Sequence, residues 1–345
     1  MHPTRLIAPF LLSTALAAQV ALACAFHNYA PGSGLVDRLM ASEHIVLVRP
    51  DPADPTVFAV VEALEGPGDD VAIPEAVDPA TLARLQANPD DAVLFAREEA
   101  YGPWTRISYV GPGFRGVLDK VMARLPDWEL AGDMGRFSLF AAHVADPDPD
   151  LSEAALREVD LADYSLLRRL PFPDLVEPAL ARIDDPAQGD LRPIRILLLG
   201  LSADPRAEAY LWPAFGRALA SDGAVLGAYA TALIELGGVA TANRLVDDVL
   251  LNADLPIEKR ELVVEAFALH SQSGAPETGA AARAAIGRAL AEAPDLAGPV
   301  ARQFGMRGDF SQHEPLAGLM NERKVGAIAD MMAVSQYVMF AREGN

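Results

Sequence analysis

A single cysteine, Cys24, stands among 345 residues, so no internal disulfide can staple the fold and stability must come from burial. Positive charge is also scarce: 28 Lys and Arg face 48 Asp and Glu, a net charge of −20 at pH 7. Such a field repels nucleic acid and anionic lipid surfaces, which excludes both as general partners. No H-E-x-x-H pair and no G-x-S-x-G elbow occurs, so the commonest zinc-hydrolase and serine-hydrolase signatures are missing. Beyond residue 23 no apolar run approaches bilayer-spanning length, so no membrane span is expected. Apolar residues nevertheless make up 51% of the chain, enough to bury sizeable cores without disulfides.

What is present begins with residues 1–23. His2 and Arg5 form a short basic start, and Leu6 to Ala23 is apolar or small. Ala21 and Ala23 occupy the minus-three and minus-one places of a signal-peptidase site, so this segment reads as a secretory leader and the location as periplasmic or secreted. Its removal deepens the net charge by one, because Arg5 is its only charged side chain. Cys24 then has three readings. It is an inert residue left by processing, or the acylated first residue of a lipoprotein, since Ala-Leu-Ala-Cys is a loose lipobox with leucine at minus two. Alternatively, its thiolate, the freed amine and the His27 imidazole form a copper or zinc site. No other cofactor is expected.

From Glu43 to Val110 short β-rich runs alternate with Asp-Pro, Gly-Pro-Gly and Asn-Pro-Asp turns. Strands are expected at His44–Arg49, Thr56–Glu62, Val71–Ile73, Ala92–Ala96 and Trp104–Val110, with one helix from Pro79 to Gln86 capped by Asp78. After about Gly113 apolar residues recur at three- and four-residue steps, as in Ile194, Leu197, Leu198 and Leu201, which predicts helix after helix joined by short turns. The fold class expected is α+β: a small β-barrel or sandwich over 24–125, then an all-α domain over 131–343.

The stretch Phe137 to Val159, with alanines flanking an Asp-Pro-Asp-Pro-Asp turn, resembles a HEAT-type unit. Asp150 or Ser152 is expected to cap its second helix. Looser pairs follow over 191–219, 224–251 and 256–290, a spacing near thirty residues that fits a degenerate α-solenoid. The runs Ser42–Val48 and Val57–Gly66, followed by the strand ending at Ala96, are similar to netrin-like OB modules, which implies a five-stranded barrel. Together the two likenesses resemble exported bacterial proteins that carry HEAT-like repeats.

Other motifs read as structure. Gly111-Pro-Gly-Phe-Arg-Gly116 fits G-x-G-x-x-G, yet no βαβ crossover follows, so it is taken as a turn opening a helix over 114–125. Asp146 to Asp150 lacks the glycine and glutamate of a calcium loop, Leu151 and Arg157 standing in those places. His44, His143, His270 and His313 are too scattered to ligate one metal, and adjacent acid pairs such as Asp184-Asp185 read as solvated surface. Met306, Met320, Met331, Met332 and Met339 read as core filling. No catalytic constellation assembles. The function expected is a non-enzymatic scaffold that offers helical surface to a protein or peptide partner. Metal handling through Cys24 and His27 is the alternative; a netrin-type protease inhibitor is the remaining one.

Overall fold

Apolar residues fill both faces of the two central strands, and that sets the architecture at the amino-terminal end. The computed structural model describes residues 29–69, 71–99, 102–128, 134–223 and 225–343. It opens with α1 (Leu35–Met40), β1 (His44–Pro50), β2 (Phe58–Glu65), α2 (Pro79–Ala87), β3 (Ala92–Arg97) and β4 (Trp104–Val110). The strands form one sheet in the order β2-β1-β3-β4, every neighbouring pair antiparallel. Ile45 and Leu47 of β1 and Leu94 of β3 face the helices, where Leu39 of α1 and Phe114 meet them. Val46, Val48, Val93 and Phe95 face the other way and pack with Leu85 of α2. A strand covered on both faces loses polar alternation, which is why these two runs are continuously apolar.

The expected barrel or sandwich is corrected to one open sheet. Val71–Ile73 is not a strand, and the nearest pairing is a lone bridge between Val57 and Ala76. The run is three residues long and ends at Pro74, which has no N–H to donate to a ladder. With α2 lying over this face, the sheet has no need to curl onto itself to shield it.

Among the described residues the rest of the chain is helical. In order come α3 (Pro112–Trp128), α4 (Met134–Ala141), α5 (Pro149–Val159), α6 (Tyr164–Leu167), α7 (Val176–Arg182), α8 (Arg192–Leu201), α9 (Pro205–Ala220), α10 (Leu226–Leu245), α11 (Ile257–Ser273), α12 (Pro276–Glu292), α13 (Ala297–Met306), α14 (His313–Asn321) and α15 (Ile328–Glu343). The molecule is thus mostly helical with a small antiparallel sheet near its amino end, an α+β chain. No helix among the described residues is long and apolar enough to cross a membrane.

Asp-Pro dipeptides start α2, α5, α9 and the 3-10 turn at 186–191; the caps are Asp78, Asp148, Asp204 and Asp185. Each carboxylate accepts a first-turn backbone N–H, while the proline supplies a helical φ and lacks the N–H that would go unpaired. At α5 the cap is Asp148, not the expected Asp150 or Ser152, because Asp148 is the residue that immediately precedes a proline at the first helical position.

These helices pack on their neighbours along the chain: α8, α9, α11 and α12 contact α10, α12 and α13 contact α11, and α13 and α14 contact α15. Small residues permit the closest approach: a Cβ on Gly200 of α8 would sit 2.6 Å from the Cα of Ala232 on α10. Gly238 divides α10 with φ 52° and ψ −132°, a conformation only glycine adopts freely. One buried apolar cluster runs from Leu35 through the helix-facing side of the sheet to Tyr337.

Candidate functional site

The seam between β4 and the first helical pair carries the most unusual chemistry. Ser33 and Arg38, Thr81 and Arg84 on α2, Arg106, Ser108 and Tyr109 on β4, and Asp150, Glu153 and Arg157 on α5 line an open cleft of about 510 Å³. That volume lies within the range of small-ligand sites. Four guanidinium groups from four elements therefore converge in a chain whose net charge is −20.

Three of them are matched. Arg84 stacks on the Tyr109 ring with 3.4 Å to its centroid, and its Nη1 lies 2.6 Å from Asp150 Oδ2. That oxygen accepts no aligned hydrogen bond, and burial raises the Asp150 carboxyl's pKa despite Arg84. Arg106 reaches Asp78 at 3.2 Å and donates to Thr81 Oγ1 at 2.8 Å. Asp78 in turn accepts from the Thr81 hydroxyl and backbone N–H, which hold its carboxyl well below the usual range. Arg157 pairs with Asp190 at 2.6 Å and Glu153 at 2.9 Å.

Arg38 differs. It is half-buried, and among the described residues its guanidinium makes one hydrogen bond, 3.4 Å to the Arg106 carbonyl oxygen, and no ion pair. Burial, then the charge of Arg157, lowers its pKa. Among the described residues, then, this guanidinium is desolvated beside another cation with no carboxylate paired to it, a costly arrangement.

The chain leading into α1 is fixed beside this cleft. Tyr29 Oη donates to Asp160 Oδ2 and lies 3.1 Å from the Asp190 carbonyl oxygen. The backbone N–H of Val36 donates to Glu158 Oε2 at 3.2 Å, and Arg136 donates to the other oxygen of the same buried carboxylate. Burial pushes the Asp160 carboxyl up to about 7 against the lowering effects of the Tyr29 hydrogen bond and Arg157.

Ala21, Ala23, Cys24 and His27 lie outside the described residues. Among the described residues no group of three or more His, Cys, Asp or Glu side chains is placed to hold a metal. The acids of the Asp146–Asp150 turn serve the backbone: Asp146 accepts from the Asp148 N–H, and Asp148 from the Asp150 N–H. Gly111, the first glycine of the G-x-G-x-x-G match, faces the Asp91 and Asp148 carboxylates, which would repel a pyrophosphate.

The histidines are dispersed. His44 meets Trp104 edge-on, His143 pairs with Asp146 at 3.0 Å, and His270 is buried with Nε2 donating to the Thr231 carbonyl. Its neighbours Tyr164 and Arg168 converge on Glu235, an internal network that ties α6 to α10. Asp184 lies on the surface as expected, exposed and paired there with Arg192. The methionines are corrected from core to surface: Met306, Met331, Met332 and Met339 are all exposed, while Met320 is partly buried.

None of the four cleft arginines stood out in the sequence, because they lie in separate elements between residues 38 and 157 and share no spacing. The only local signal is Arg106 in the middle of an otherwise β-forming run, Trp104 to Val110.

No family model, curated protein or solved structure matches this chain.

Proposed function

We propose that the chain is a non-enzymatic binding protein, exported after loss of residues 1–23, whose arginine-lined seam takes an anionic group presented by a protein or peptide partner. The single observation that carries this reading is Arg38, a half-buried guanidinium with no carboxylate paired to it among the described residues, on a cleft that three other arginines line. An entering carboxylate would relieve the repulsion between Arg38 and Arg157 and gain charge-assisted hydrogen bonds. Ser33 and Ser108 add hydroxyls that suit an oxyanion.

A scaffold role belongs to the same reading: the contacts of α8 to α15 with their neighbours along the chain support a degenerate HEAT-like solenoid, with the sheet as the cap of its amino end. In this reading the cleft sits where the cap meets the array, which gives the partner contact a rigid setting.

Titration of a fluorescently labelled oligoglutamate peptide tests the proposal. Binding is expected in the micromolar range, to weaken as salt is raised, and to weaken at least tenfold in Arg38→Met, which keeps the aliphatic stem. Equal affinity in the wild type and Arg38→Met, or no binding at low ionic strength, would overturn it.

A further inference from the structure

We propose that α15 pairs in antiparallel fashion with α15 of a second copy, so that the chain is a two-fold dimer joined at its carboxyl-terminal end. The helix is apolar nearly all round, yet Val334, Tyr337 and Ala341 alone are buried against its own molecule. On the opposite side Ile328, Met332, Ser335 and Met339 follow at steps of four, three and four, the spacing of a helix-pairing seam. Ile328 is 74% exposed, Met332 68% and Met339 49%.

Three observations select a second copy as the occupant. The first is charge: between Ile328 and Phe340 the sole charged side chain is Asp330, held by Arg302 at 2.7 Å. A face without free charge, on a chain of −20, fits a partner that is equally uncharged at the contact. Its own copy is such a partner, whereas a charged surface would leave its ions unpaired.

The second is self-complementarity. Ser335 lies near the middle of the stripe, so a two-fold axis beside it sets the small side chains together and Met332 against the partner's Met339. Antiparallel packing also opposes the two helix dipoles. Methionine's flexible thioether adapts to such a seam, because it fills irregular gaps at little cost.

The third is area. Ile328, Met332 and Met339, with Met331 at their edge, are each 38% to 74% exposed. At roughly 200 Å² for a large apolar side chain, they offer about 450 Å² per copy, hence about 900 Å² in the pair, the size of a weak, transient interface. A dimer that dissociates on dilution is the consequence.

Sedimentation velocity of the full chain over a dilution series tests this. The expected result is a monomer–dimer equilibrium that shifts at least a hundredfold toward monomer in Met332→Glu/Met339→Glu, with an unchanged circular dichroism spectrum. In a Cys24→Ser background, Ser335→Cys is expected to give an intermolecular disulfide under mild oxidation. Three results would overturn the proposal: a monomer at every concentration, a dimer that persists in the double variant, or binding of the wild type but not that variant to neutral phosphatidylcholine vesicles without self-association.

Discussion

The two ends of the helical array are finished in opposite ways. At the amino end a sheet lies across the first helices, and the seam is knit by charged groups: Arg136 with Glu158 and Asp37, Arg84 with Asp150, and Arg157 with Asp190. On α15 the contrast is apolar: Ile328, Met332 and Met339 are exposed, and among the described residues no element packs over them. One end is left with a surplus guanidinium, the other with surplus apolar area.

The largest expected effect comes from breaking the amino-terminal seam. Glu158 has no exposed surface and Arg136 is its cationic partner. Arg136→Ala removes that partner and is expected to lose about 3–5 kcal/mol in chemical denaturation. If it costs no more than an exposed ion pair, the seam is not knit by charge as described.

A smaller effect is expected from Asp160. Burial raises this carboxyl to about 7 in the folded protein, above its unfolded value. The folded state therefore holds the proton more tightly, and the stability gained is present below about pH 4 and lost as pH rises to about 7. Asp160→Asn, which still accepts from the Tyr29 hydroxyl, is expected to raise stability near pH 8 by on the order of 2 kcal/mol and to flatten the pH dependence. Parallel pH profiles of wild type and variant would sink this assignment.

Next comes the close approach within the array itself. Gly200→Ala places a Cβ against the Ala232 backbone and is expected to lose about 1–2 kcal/mol, although alanine alone favours a helix. A gain in melting temperature would mean that α8 and α10 can move apart freely.

The smallest stability effect is expected at the cleft. Because Arg38 is desolvated and unmatched by a carboxylate, Arg38→Met should leave stability unchanged or raise it. That outcome would separate a residue kept for binding from one kept for folding.

Features written in local sequence were legible. The apolar runs of β1 and β3, the Asp78 cap of α2, and the hairpin over 137–159 all rest on neighbours within a few residues. The sheet's closure was not legible, because whether α2 covers a face is decided far from Val71–Ile73. Nor was the fate of the late methionines: a helix apolar on every side does not say which side its own molecule covers. The cleft was hidden for the same reason, since Arg38 and Arg157 become neighbours only when α1 and α5 pack.

Hydrogen–deuterium exchange with and without the oligoglutamate peptide tests the binding role most directly. Added peptide should slow exchange in α1, α2, β4 and α5 of the wild type, and leave those segments unaffected in Arg38→Met. Protection confined to α11 through α15, or identical protection in both proteins, would contradict the assignment of the seam as the site where an anionic partner docks.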